Sequence, residues 1–212
     1  FSSRRRHTRY GTVTGVQTCA LPIFKNKIWD RKSFVGTEVY KKTLGVVGLG
    51  KIGSHVATIA KAMGMKLLAY DPFISQERAN QLGCILVDLD FLFAESDYIS
   101  LHLPKTPETN HLIGGEAIAK MKPTVRIINC SRGGIIDEEA LVEALTAGKI
   151  AGSALDVFEQ EPLGESKLRE LKNVILTPHL GASTAEAQVN VAIDVAEQIR
   201  DVLLGLPARS AV

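Results

Sequence analysis

The feature that most restricts the fold is a junction. The apolar run Leu44–Gly48 passes directly into Gly48-Leu49-Gly50-Lys51-Ile52-Gly53, and from Lys51 to Met63 the pattern becomes amphipathic. A strand that ends in spaced glycines and opens a helix has few uses. Gly48 permits a tight turn, Gly50 lets a ligand approach the backbone with no side chain between, and Gly53 lets the helix pack closely on the strand. The free N–H groups of the first helical turn attract an anion. An ordinary glycine-rich turn shares this bare pattern, and Asp71 separates the two readings. It follows the next apolar run eighteen positions after Gly53, near the separation of about 20 residues at which an acid meets the ribose hydroxyls of a dinucleotide. A carboxylate there repels a 2′-phosphate, and no Lys or Arg follows before Arg78, so the spacing points to NAD rather than NADP. The alternative is that Asp71 only caps a turn before Pro72.

The rest of the chain repeats the alternation. Runs at Lys66–Tyr70, Tyr98–Leu101, Val125–Asn129, Gly152–Leu155 and Val174–Leu176 are rich in Val, Ile and Leu without strict alternation, as expected of strands covered on both faces. Helical spacing marks Ser75–Leu82, Glu138–Ala147 and Ala185–Leu204, the last with Val189, Ala192, Ile193, Ala196, Ile199 and Val202 on one stripe, stopped by Gly205 and Pro207. Strands alternating with crossover helices predict an α/β, doubly wound parallel sheet of Rossmann type. The expected dinucleotide-binding domain is residues 43–205, one compact unit from first strand to last helix. Residues 24–42 read as the remnant of, or linker from, a preceding domain, and 206–212 as the start of a return to it.

The first 23 residues are read separately. Ser3–Arg9 (SRRRHTR) and Val13–Ile23 (VTGVQTCALPI) match, in order, translations of two parts of a common sequencing-library adapter. Residues 1–23 are therefore taken as artefactual and kept out of the fold argument, against the alternatives of a targeting peptide or nucleic-acid arm. They hold Arg4, Arg5, Arg6 and Arg9 and no acid, so the net charge of +2 hides a mildly acidic body with no basic stripe. Nucleic-acid binding has no electrostatic basis there. Apolar runs fall far short of the roughly 20 residues of a membrane helix. The three cysteines, Cys19, Cys84 and Cys130, have no metal-ligand or disulfide spacing. Cys84 and Cys130 read as buried reduced thiols, which fits the cytoplasm or an organelle such as a plastid.

Three further motifs occur in order: Asn129-Cys130-Ser131-Arg132-Gly133-Gly134; Asp156-Val157-Phe158 with Glu161-Pro162; and Thr177-Pro178-His179-Leu180-Gly181-Ala182. With the glycine junction they span nearly all of residues 43–205, and together they resemble the D-2-hydroxyacid dehydrogenase family. Gly181–Gln188 is similar to its phosphoglycerate branch. The resemblance implies a catalytic set of Arg132, Glu161 and His179: a histidine base for the hydroxyl proton, a carboxylate partner favouring the protonated imidazole, and an arginine for the substrate carboxylate. It places Gly48, Gly50, Lys51, Ile52 and Gly53 at the pyrophosphate of NAD, Asp71 at the ribose, and Leu103 and Pro104 along the cofactor. Cys130, Ser131, Arg132, Asp156, His179, Gly181 and Ala182 fall toward the nicotinamide. Ser131 stands where the family more often has alanine.

The activity implied is NAD-dependent oxidation of 3-phospho-D-glycerate to 3-phosphooxypyruvate, with a phosphorylated 2-hydroxy acid as substrate and a homodimer or larger homo-oligomer as the assembly. Neither a metal nor a nucleic-acid or membrane partner is implied. A sister dehydrogenase acting on lactate, glycerate or formate shares these motifs, as does an NAD-sensing corepressor that binds rather than turns over. Most of the family's substrate domain, which comes from both sides of the nucleotide domain, has no counterpart here. His55, His102 and His111 show no partner pattern and read as a helix residue, a loop-lining residue and a surface residue.

Overall fold

A computed structural model describes residues 35–207. The readings of residues 1–23, 24–34 and 208–212 lie outside the described residues. Seven strands form one parallel sheet: β1 (Thr43–Val47), β2 (Lys66–Tyr70), β3 (Ile85–Leu86), β4 (Tyr98–Leu101), β5 (Arg126–Asn129), β6 (Gly152–Leu155) and β7 (Val174–Leu176), in the order β3-β2-β1-β4-β5-β6-β7. The helices are α1 (Lys51–Ala62), α2 (Gln76–Leu82), α3 (Leu89–Glu95), α4 (Gly115–Ala119), α5 (Glu138–Thr146) and α6 (Ala185–Leu203), with a 3-10 turn at Lys167–Glu170. No described helix is long and apolar enough to cross a membrane.

The strands are apolar on both sides because both sides are packed. On β2, Leu67 and Ala69 join Leu44, Val46, Ala57 and Ala60 on one face, while Leu68 joins Val47, Ile99, Leu101 and Ile127 on the other. Each leucine so buried contributes about 1.5–3 kcal/mol relative to exposure. Polar side chains then mark where helices start: Ser75, Asp88, Asp137 and Thr184 each accept a backbone N–H in the first turn of α2, α3, α5 and α6. The strand order reverses between β1 and β4, whose paired ends open the crevice in which doubly wound sheets hold ligands.

Among the strands and α-helices, three were not foreseen. Two-residue β3 and five-residue α4 are too short to show a period, and α3 starts at the end of the mostly apolar stretch Ile85–Leu89, just after Asp88. The last helix carries its apolar stripe in the open. α6 forms where its spacing predicts, but none of its residues is buried, and Val189, Ile193, Ile199 and Val202 are all more than half exposed. Periodicity establishes that a helix face is apolar, and not which element covers it.

Candidate active site

The glycine junction folds as the sequence predicts, and each glycine has its own reason. Gly48 sits at φ +95° with its N–H donating to the Tyr70 carbonyl at 2.8 Å, and a Cβ there would lie 2.5 Å from the carbonyl oxygen of His102. A Cβ on Gly53 would lie 2.0 Å from the Gly48 carbonyl oxygen. Gly50 differs: its φ is −61°, and a Cβ would meet nothing within 4 Å. The protein's own packing does not require glycine there. What its absence of side chain leaves free is the space in front of the α1 N-terminus, which no side chain caps. Open backbone donors beside an empty cradle suit an anion such as a pyrophosphate. Lys51 and Ile52 are exposed at this mouth.

Asp71, at the end of β2, accepts the Leu49 N–H at 2.7 Å and the Phe73 N–H at 2.9 Å. It thus both closes the turn before Phe73 and ties the glycine loop to β2, and it borders a cavity of about 520 Å³ with Tyr70, Leu86, Val87, Asp88 and Phe91. The nearest following cation, Arg78, is turned along its own helix to Gln81 at 3.1 Å. Across the crevice His102 carries the glycine loop on its backbone, and its ring bonds the Ser100 hydroxyl at 2.9 Å. Burial pulls its pKa down and so favours the neutral ring. Leu103 is half-buried and Pro104 exposed along the same edge.

At the other end of the crevice three loops meet. After β5, the buried side chain of Asn129 builds the turn to Arg132: its Oδ1 accepts from the Ser131 N–H and hydroxyl, and its Nδ2 donates to the Arg132 carbonyl at 2.9 Å. The exposed Arg132 guanidinium donates from Nη1 to the Ser131 carbonyl at 2.6 Å, leaving most of its fork open. Gly133 is needed because a Cβ would overlap the Phe158 carbonyl oxygen at 1.7 Å. Cys130 is exposed and not buried as expected, since β5 ends one residue before it and the chain turns into the crevice. Cys84 is buried as read. Cys19 lies outside the described residues.

After β7, His179 adopts φ 53°, with its N–H on the Thr177 carbonyl at 3.1 Å. A histidine in this left-handed conformation costs on the order of 1 kcal/mol, and the surroundings hold it there. Asp156, 4% exposed at the end of β6, accepts from the Thr177 hydroxyl and from the Leu180 and Gly181 N–H groups at 2.8 Å each. Burial raises its pKa, but those bonds and the nearby His179 ring outweigh it and hold the carboxyl below its usual range. Asp156 therefore fixes the turn that presents His179, while Gly181 and Ala182 lie exposed just beyond.

The His179 ring is bonded through Nδ1 to Glu161 Oε2 at 2.7 Å, and Glu161 Oε1 accepts the Phe158 N–H at 3.0 Å. These two bonds, that of His179 first, hold the Glu161 carboxyl below its usual range. An ionised carboxylate can only accept, so Nδ1 carries the proton and Nε2 is left as the basic atom. Glu161 and His179 line a cavity of about 590 Å³ with Phe158, Pro162, Leu163, Leu176 and Pro178, and Arg132 does not. The sequence motifs thus bring acid and histidine into contact and leave Arg132 on the neighbouring loop. Among the described residues no His, Cys, Asp and Glu group could hold a metal. His111 is exposed, as its surface reading expects, and its Nε2 meets Glu159 Oε1 at 3.0 Å.

Residues 19–181 match the family described as D-isomer specific 2-hydroxyacid dehydrogenase, NAD binding domain. The chain belongs to this family. It is 80% identical over 188 residues to D-3-phosphoglycerate dehydrogenase of Synechocystis sp., covering 89% of this chain and 34% of the relative. It is 53% identical over 185 residues to the Archaeoglobus fulgidus protein of the same name, covering 87% and 35%. The chain thus spans about a third of the length of the curated relatives it matches. A solved structure of D-lactate dehydrogenase from Aquifex aeolicus, complexed with NAD and lactic acid, aligns with a TM-score of 0.79 at 35% identity, covering 92% of this chain and 63% of that one. The glycine cradle and Asp71 fit the NAD of the family description.

Asp71→Asn removes the charge that would repel a 2′-phosphate, and the preference for NADH over NADPH, read by fluorescence titration, is expected to fall about tenfold or more. Asp156 and Glu161 have depressed folded-state pKa values, so their contribution to stability is present above the ordinary carboxylate range and is lost as pH falls through the folded pKa. Melting temperature followed across acid pH is expected to drop less steeply in Glu161→Gln and Asp156→Asn than in the wild type. An unchanged slope would count against these ionic ties.

Proposed function

We propose that this chain is the nucleotide domain of an enzyme that oxidises 3-phospho-D-glycerate to 3-phosphooxypyruvate with NAD. The single observation that carries the chemistry is the 2.7 Å bond between His179 Nδ1 and Glu161, which leaves Nε2 as the basic atom of a ring that lines the cavity. Oxidation at C2 of a 2-hydroxy acid requires loss of the hydroxyl proton and of a hydride from carbon, giving a 2-keto acid. NAD, when bound, takes up the hydride. His179 Nε2 receives the proton, and Glu161 holds the ring in the required tautomer and stabilises the imidazolium that forms. The open fork of Arg132 binds the substrate carboxylate and the developing carbonyl oxygen. Gly50 and the α1 N-terminus seat the pyrophosphate, with Lys51, Ile52, Leu103 and Pro104 along it and Asp71 on the ribose. Cys130, Ser131 and the Asp156-held turn Leu180–Ala182 lie toward the nicotinamide.

The phosphoglycerate assignment is supported by the names of the relatives at 80% and 53% identity. The experiment that tests it is a substrate panel on the full-length protein: 3-phospho-D-glycerate, D-glycerate and D-lactate with NAD. A kcat/KM for phosphoglycerate at least about tenfold above the others supports the reading. Faster turnover of D-lactate assigns a sister dehydrogenase, and NADH binding with no turnover of any of them assigns a binding module.

A further inference from the structure

Glu161 owes its place to the short loop after β6, and that loop is gripped from two sides by groups that no step of the proton transfer uses. Glu159, two residues before Glu161, donates its N–H to Glu138 Oε1 at 2.6 Å, while the Glu138 N–H donates back to Glu159 Oε1 at 3.1 Å. The same Glu159 oxygen meets His111 Nε2 at 3.0 Å. Glu138 begins α5, at the end of the loop that carries Arg132, and His111 comes from the loop after β4. One carboxylate oxygen therefore gathers three loops, each from a different strand end. The backbone is committed to the arrangement: His111 is held at φ 52° with its N–H on the Gly134 carbonyl at 2.8 Å, and Ile113 bridges Ile136. Asp137 Oδ2 lies 3.9 Å from His111 Nδ1 on the other side of the ring. From Glu159 the chain has no slack, since Phe158 directly before it donates the N–H that orients the Glu161 carboxylate. A solvated surface acid would not accept a backbone N–H and an imidazole while its own N–H is held by the facing acid.

We propose that Glu159, clasped by Glu138 and His111, is a positioning residue that holds the Glu161 loop so that Glu161 meets His179 Nδ1. The proposal rests on the reading of Glu161 and His179 as a bonded pair, and the test separates the two. In the 212-residue chain, an imidazole Nδ1–H bonded to a carboxylate gives a downfield, slowly exchanging proton resonance and fixes the tautomer, both read by proton and nitrogen NMR. Wild type and Glu161→Ala calibrate the signal. If the two are alike, the pairing itself fails, and the proposal with it. With the signal present in wild type and lost in Glu161→Ala, Glu159→Ala is expected to lose it. Glu159→Gln is expected to keep it, because the amide oxygen still accepts from Glu138 and His111. Glu138→Ala removes the other half of the clasp and is expected to lose the signal also, and it decides the matter if Glu159→Ala does not fold. A wild-type signal in either folded alanine variant overturns the proposal.

Discussion

Gly50→Val is expected to abolish saturable NADH binding while the melting temperature stays within a few degrees of the wild type, and Gly53→Val is expected to prevent native folding. The two glycines belong to one motif but face opposite ways. At Gly53 an added Cβ would sit 2.0 Å from the Gly48 carbonyl oxygen, a backbone atom that can yield only if the β1–α1 turn opens. Overpacking of this kind costs about 1–3 kcal/mol or more even where neighbours are flexible. At Gly50 a Cβ would meet nothing, and its φ of −61° suits any residue. The fold does not feel the change, but the space before the α1 N-terminus is filled, and a pyrophosphate can no longer reach the backbone donors. Thermal unfolding followed by circular dichroism, paired with NADH fluorescence titration, checks both halves. Unimpaired NADH binding by Gly50→Val would place the dinucleotide elsewhere.

His179→Ala in the full-length protein is expected to lower kcat for 3-phospho-D-glycerate by about 10²–10⁴-fold, the usual contribution of a positioned general base, with NADH affinity changed by less than about twofold. On the proposed mechanism Nε2 takes the proton while Glu161 ties the ring to the scaffold, so loss of the ring is expected to remove the proton acceptor without disturbing the glycine cradle at the far end of the crevice. Glu161→Gln is expected to fall between the two, because the amide oxygen still accepts from Nδ1–H and keeps the tautomer, while the charge that stabilises the imidazolium is gone. Steady-state kinetics of all three proteins tests the order. A Glu161→Gln defect equal to that of His179→Ala would mean that Glu161 itself handles the proton.

Much of this was legible because the motifs fall where strands end. The doubly wound order follows from strands apolar on both faces with helices between, and Gly48–Gly53 and Asp71 meet across β1 and β2 because those strands pair in register. Glu161 and His179 could be named from their motifs, and the structure brings them into contact. The motifs contain Asn129 and Asp156 but do not tell what they do through the backbone. Asn129 and Asp156 shape the turns of Arg132 and His179 by binding amides, a role that residue type and spacing do not reveal. The His111–Glu159 contact joins loops far apart in sequence, so no local pattern carries it. The α6 stripe shows that spacing reports an apolar face without reporting what lies against it, and Cys130 reads as buried because free thiols usually pack inside, a rule of residue type that takes no account of the turn that begins after Asn129.

The most direct test of the account is titration of the 212-residue wild-type chain with NADH and, separately, NADPH. Saturable one-to-one binding of NADH is expected in the crevice that β1, β2 and β4 build, with NADPH at least about tenfold weaker because of Asp71. A folded chain that binds neither, or that binds both alike, would contradict it.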